Sequence, residues 1–314
     1  MLNIRQGSIH LFRVRGVDVF LHWSWFLVAA IEIETRKGIY GSILWNVYEY
    51  VALFAIVLLH EFGHAMACRQ VGGTANQIVL WPLGGVAYVK PPQRPGATLW
   101  SIAAGPLVNV GLLPVLYAAV LVAQHLGAPE NMPDGYQWLV TVSWINVSIL
   151  GFNMLPIYPL DGGQILRSLL WFVVGRGRSL MAATLVGFVG VAGFLIVAVW
   201  FRSIWLGAVA VFLVMNCWSG LKHARELLRI AKCPRRPGFA CPSCRTAPPL
   251  GAFWQCGKCA QAFDTFASGA VCPHCGIQFV RTGCLDCGEQ HPISAWRTNP
   301  PVDASVLTRY PASS

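Results

Sequence analysis

Residues 51–67 read VALFAIVLLHEFGHAMA. Nine apolar residues lead straight into His60, Glu61 and His64, with no proline in the run to stop a helix. An ionisable group inside an oily segment costs free energy unless it is paired, hydrogen-bonded or bound to a metal. The stretch therefore points to a buried helix and to polar groups that need a reason to be in it. The rest of the chain agrees with the oily setting. Of 314 residues, 55% are hydrophobic and 11% charged, against roughly 25% charged in an average soluble domain. Mean hydropathy is +0.53. Several stretches run about 18 residues or more almost without charge, long enough to cross roughly 30 Å of hydrocarbon. The class expected is a polytopic α-helical membrane protein. The N-terminus, MLNIRQGSIHLFRVRGVDV, lacks the layout of a cleavable signal peptide.

Six transmembrane helices are expected, at 17–35, 45–69, 98–123, 137–155, 180–200 and 203–221. Net charge is +10, from 23 basic and 13 acidic residues, and its distribution says more than its sum. Arg5, Arg13 and Arg15 precede the first span, Lys90 and Arg94 follow the second, and Arg167, Arg176 and Arg178 follow the fourth. Lys222, Arg225, Arg229, Lys232, Arg235 and Arg236 follow the sixth. The opposite side has mixed or acidic loops, with Glu32, Glu34, Arg36, Lys37, Glu130, Asp134 and Arg202. Basic loops stay in the cytoplasm, so a multi-pass cell-membrane protein with both termini cytoplasmic is expected. Residues 74–90, TANQIVLWPLGGVAYVK, are too short to span as a helix; two β-leaning runs flank Pro82-Leu83-Gly84-Gly85, which predicts a small β-hairpin. Open sheet edges do not face lipid, so this hairpin belongs at the interface or in a protein-lined cavity.

In a helix, His60 and His64 are one turn apart on one face and can hold one ion together. Glu61 sits about 100° round from His60, within reach of a water on that ion. This HExxH pattern has odds of roughly 1 in 200 of arising by chance in such a chain. The bland alternative is two interfacial histidines at a helix end, which leaves Glu61 an unexplained intramembrane acid. A catalytic zinc needs a third protein ligand. Cys68 extends the ladder, but it is about 12 Å along the axis from His60, too far for one ion; it reads as a small buried apolar residue. Asp161 is the better candidate. It lies in NMLPIYPLDGG, 153–163, where Pro156 and Pro159 obstruct a helix and Gly162 and Gly163 permit tight backbone. In isolation, an N-cap for the helix that follows would be its first reading. With HExxH in the same chain, a metal ligand is the stronger one.

Four motifs in order, HEFGH, WPLGG, AAGPLVN and NMLPIYPLDGGQILR, resemble the site-2 protease family of intramembrane zinc metalloproteases over about residues 10–220. The resemblance implies that His60, His64 and Asp161 bind a catalytic zinc and that Glu61 is the catalytic base. It also implies that Asn109 and Asn153 bind substrate or steady the oxyanion, where a helix-to-helix hydrogen bond is the plainer alternative for either. The reaction implied is hydrolysis of peptide bonds within or near transmembrane segments of membrane-protein substrates. The hairpin could hold an unwound substrate as an added strand.

From about residue 233 the composition turns to proline, glycine and cysteine. Eight of the 11 cysteines form four CxxC pairs: Cys241/Cys244, Cys256/Cys259, Cys272/Cys275 and Cys284/Cys287. Such knuckles bind zinc, and eight ligands make two structural sites. A disulfide framework is disfavoured in a reducing cytoplasm. Sequential pairing, first with second and third with fourth, is the expectation over the nested alternative. The domains expected are a membrane-embedded unit at 1–221, a basic linker at 222–240, a double zinc ribbon at 241–297 and a disordered tail at 298–314. From residue 232 on there are eight basic and four acidic residues. Two zinc-thiolate sites, at about −2 each, bring the folded tail near neutral, which argues against nucleic acid and for a cytoplasmic protein partner. A different class of function remains in view, a non-catalytic membrane scaffold or zinc-sensing transporter. A transporter would spread ionisable groups over several spans, whereas here they converge on one place.

Overall fold

The computed structural model describes residues 7–81 and 84–298. Pro82 and Leu83 of the expected turn, and the tail beyond residue 298, lie outside that range. The chain divides into two compact units, Met1–Arg225 and Glu226–Ser314.

The first unit runs β1 (Ser8–Val14), β2 (Val17–His22), α1 (Ser24–Thr35), α2 (Ile43–Gln70), β3 (Thr74–Trp81) and β4 (Gly84–Lys90). It continues through α3 (Pro95–His125), the single turn α4 (Ala128–Asn131), α5 (Pro133–Asn153), α6 (Asp161–Val174), α7 (Arg176–Trp200) and most of α8 (Ile204–Lys232), whose last residues belong to the second unit. The expected hairpin is present as β3 and β4, antiparallel from Thr74↔Lys90 to Trp81↔Gly84. It is half of a larger sheet, in the order β1-β2-β3-β4. β2 lies parallel to β3, from Asp18↔Gln77 to Leu21↔Leu80, because α1 and α2 form the crossover between them. β2 alternates, burying Val17, Val19 and Leu21, the period-two pattern of a strand covered on one face. Those residues pack with Trp25, Ala65, Cys68, Ile78 and Leu80 in one apolar core.

Among the described residues four helices, α2, α3, α7 and α8, are long and apolar enough to cross a membrane, where six spans were expected. The first expected span is split. Its leading half is β2, drawn into the sheet, and α1 has only 12 residues, about 18 Å of helix against roughly 30 Å of hydrocarbon. The fourth is α5, whose 21 residues suffice in length, but Thr141, Ser143, Asn146 and Asn153 dilute its apolar character. α8 continues past the membrane-length stretch and carries Lys222 through Lys232 as helix.

Three features position the remaining helices. Arg36, after α1, meets Glu49 of α2 in two contacts, Nε to Oε1 at 2.7 Å and Nη2 to Oε2 at 3.2 Å. The Tyr40 hydroxyl donates to the same carboxylate at 2.6 Å, and Glu49 is buried. Burial, then the Glu49 carboxylate, raises the Tyr40 hydroxyl above its ordinary pKa. Glu49→Leu leaves Arg36 only the looser Glu32 carboxylate, at 3.8 Å, and a loss of about 2 kcal/mol in unfolding free energy is expected; a chemical denaturation midpoint in detergent measures it. The second feature is the non-helical segment between α5 and α6. Ile157 packs with Val191, Leu213 and Cys217 of α7 and α8, and the Tyr158 carbonyl accepts from Cys217 Sγ at 2.9 Å. The third is close approach: a Cβ on Gly162 would overlap the Met154 carbonyl, so the first turn of α6 sits directly on this segment.

The second unit is small. β5 (Trp254–Gln255) pairs with β6 (Ala262–Phe263), and β7 (Thr282–Gly283) with β8 (Gln290–His291). Trp296 is 1% exposed and meets Phe266 edge-on at 5.0 Å between ring centres. Trp254 Nε1 donates to the Gly283 carbonyl at 2.9 Å. Two ion pairs add to this, Arg235 with Asp286 at 2.7 Å and Arg236 with Asp264 at 2.5 Å.

Candidate functional site

α2 delivers His60, Glu61 and His64, exposed by 3%, 6% and 6%. The prolines keep 154–160 out of helix, and α6 opens on Asp161, 8% exposed. Asp161 does not cap its helix; its carboxylate turns to the histidines. His60 Nε2 lies 3.0 Å and His64 Nε2 3.4 Å from Asp161 Oδ2, and the two Nε2 atoms are 3.1 Å apart. Ligands at about 2.0–2.1 Å on a tetrahedral zinc stand about 3.3–3.4 Å from one another. The triangle has the size of one face of that tetrahedron.

Proton positions make the same point. His60 Nδ1 donates to Asn109 Oδ1 at 2.6 Å, and His64 Nδ1 donates to the Ser101 carbonyl at 2.9 Å. In its neutral form each ring then carries its proton on Nδ1 and presents a bare Nε2. Two ring nitrogens that can each offer a lone pair converge with a carboxylate, an arrangement that a cation stabilises. The donor set, two imidazoles and one carboxylate, suits zinc with one position open. α3 makes room for it: a Cβ on Gly105 would overlap His64 Nε2 and come within 2.8 Å of His60 Nε2. Gly105→Ala is expected to displace a ring and lower zinc affinity at this site at least about tenfold, by analogy with the loss of ligand support; competition with a chromophoric chelator measures it.

Cys68 is fully buried and bonds the Thr74 carbonyl at 3.6 Å, away from the triangle. Asn109 joins the triangle through His60. Asn153 ends α5 and is half-buried. Sequence reasoning missed Asn146, fully buried on α5 and bonded to Asn109. Its one signal is an amide in the middle of an apolar helix.

In the second unit the cysteines gather as two groups: Cys241, Cys244, Cys284 and Cys287, and Cys256, Cys259, Cys272 and Cys275. This nested pairing replaces the sequential one expected. Sulfur pairs stand at 3.7 Å for Cys241–Cys287 and Cys244–Cys284, and at 3.5 and 3.7 Å for Cys256–Cys275 and Cys259–Cys272. Zn–S bonds of about 2.3 Å set tetrahedral edges near 3.8 Å. The reason for nesting lies in the core. The outer knuckles pack with Phe239, Trp254, Phe266 and Trp296, the inner ones with Phe263 and Phe279. Each knuckle repeats one turn, seen in Cys256 N–H to the Gln261 carbonyl and Ala260 N–H to the Cys256 carbonyl, both at 2.9 Å. The backbone N–H groups of Cys259 and Lys258 draw the Cys256 thiol down to about 6, while burial pushes Cys287 up to about 11. Such close sulfurs ionise together only around a cation.

Comparison with known proteins adds the following. The model of the family described as Peptidase family M50 matches residues 48–139 and 135–197. A zinc metalloprotease of Methanocaldococcus jannaschii is 36% identical over 182 residues, 57% of this chain and 50% of that protein. The putative zinc metalloprotease Rip3 of Mycobacterium tuberculosis is 30% identical over 178 residues, 53% of this chain and 44% of that protein. The chain spans about half the length of the curated relatives it matches. Among solved structures, a site-2 protease from M. jannaschii aligns with a TM-score of 0.50 at 28% identity, over 68% of this chain and 95% of that one.

Proposed function

We propose, from its likeness to peptidase family M50, the site-2 protease family, that the chain is an intramembrane zinc metalloprotease, a multi-pass membrane protein that hydrolyses peptide bonds within or near transmembrane segments of other membrane proteins. One observation carries the reading: His60, His64 and Asp161 converge at tetrahedral spacing beside the buried Glu61. Zinc held by these three residues would polarise a water and the scissile carbonyl. Glu61 takes a proton from that water and delivers one to the leaving amine. Asn153, at the head of the unwound segment, is assigned to the oxyanion or the substrate backbone. β4, at one edge of the four-stranded sheet, suits an extended substrate that adds as a strand, since an unwound helix needs new partners for its backbone groups. Four mostly apolar helices and a site closed by side chains from α2, α3 and α6 fit chemistry in the bilayer.

The same reading assigns residues 1–221 to the protease unit, 222–240 to the join and 241–297 to a zinc ribbon with two structural zincs and a cytoplasmic protein partner. The basic loops favour both termini in the cytoplasm. With one ion per cluster, the full chain holds three zinc ions. Metal analysis of the purified protein in detergent tests this together with cleavage of a transmembrane reporter. His60→Ala is expected to remove one zinc and all cleavage. Unchanged zinc content would refute the histidine site, and loss of zinc from a wild type that cleaves nothing would favour a scaffold or zinc sensor.

A further inference from the structure

We propose that Asn109 and Asn146 are positioning residues that decide which nitrogen of His60 faces the metal, an inference that rests on the zinc-site reading above. The observation is a chain of hydrogen bonds with a fixed direction. Asn146 Nδ2 donates to the backbone carbonyl of Asn109 at 3.0 Å. A carbonyl only accepts, so this bond settles which end of the Asn146 amide is nitrogen. Asn146 Oδ1 therefore faces Asn109 and accepts from its Nδ2 at 2.8 Å. That turns Asn109 Oδ1 toward His60 Nδ1, 2.6 Å away. An amide oxygen has no hydrogen, so the ring carries its proton on Nδ1 and leaves Nε2 bare for the metal.

The setting makes the direction binding. Asn109 and Asn146 are both fully buried, and an unpaired buried amide costs more than a rotated one in water. If Asn146 is removed, the Asn109 amide can turn over and offer Nδ2 to His60. His60 would then move its proton to Nε2 and cease to be a ligand. Asn109 is engaged at both its oxygen and its nitrogen, so its part is to aim His60 rather than to meet an oxyanion. α5, outside the metal's own shell, thereby gains a say in metal binding through a contact with α3.

The test uses the full chain in detergent. Zinc affinity is measured by chelator competition, and the visible spectrum of the cobalt-substituted protein is recorded, each as a difference from His60→Ala so that the cysteine sites cancel. Asn146→Leu and Asn109→Leu are expected to weaken zinc 10–100-fold and to change the cobalt spectrum. Asn109→Asp, as a neutral acid with its carbonyl toward His60 and its O–H toward Asn146, is expected to stay within about threefold of wild type. Wild-type affinity and spectrum in Asn146→Leu would overturn the proposal. So would Asn109→Asp retaining zinc while kcat alone collapses, which is the signature of an oxyanion donor. Asn146→Ser breaks the same pair with less bulk and replaces the leucine variant if that one does not fold. A wild type with no His60-dependent zinc overturns the zinc-site reading as well, so the two failures are distinct.

Discussion

Glu61→Gln is expected to lower turnover of a transmembrane substrate by about 10²–10⁴-fold while leaving zinc at the histidine site unchanged. Glutamine keeps the size of the side chain and its place on α2, yet it cannot take up a proton at neutral pH. Glu61 is 6% exposed and lies outside the group of three that could hold an ion, so the substitution separates proton transfer from metal binding. Zinc content and the rate of reporter cleavage are read on the same preparation. Cleavage within about tenfold of wild type would mean that Glu61 is not the base. Loss of zinc would mean that it holds the site together instead.

The second large effect concerns the ribbon. A structural zinc contributes about 10–16 kcal/mol to small domains of this kind at pH 7, far more than the few aromatic contacts around Trp254, Phe266 and Trp296. Strong chelation is therefore expected to open residues 241–297 to limited proteolysis while the membrane-length helices stay protected. Nesting adds a count. Cys259 and Cys272 share one cluster, so the double substitution Cys259→Ser, Cys272→Ser removes one zinc per chain. Under sequential pairing, or the remaining alternative, those cysteines sit in different sites and two zincs leave. Mass spectrometry of the intact protein under native conditions distinguishes one from two.

What could be read from residues alone follows a physical line. The grouping of His60 with His64 was legible because spacing on one helix is a local property, and the arrival of Asp161 beside them because two prolines next to an acid announce a broken helix. The cysteine knuckles were legible as pairs. Their partners were not, since pairing is decided by which aromatic residues pack around each site. The span count differs for a related reason. Val17–His22 is apolar enough to begin a transmembrane helix, and its pairing with β1 and β3 makes it a strand. Asn146 was missed because a single amide in an apolar helix carries no periodicity, and its meaning lies in one bond to another helix.

The two halves of the histidine site are 101 residues apart in the chain, counted from His60 to Asp161. Synthesis proceeds from the N-terminus, so α2 is made and inserted long before α6 exists. During that interval the nascent chain holds His60, Glu61 and His64 but not Asp161, and the segment that sets Asp161 in place still awaits α7 and α8. The triangle of His60, His64 and Asp161 thus closes late, after most of the first unit has been made. The order in which the sequence is read out therefore delays any chemistry that needs all three side chains together.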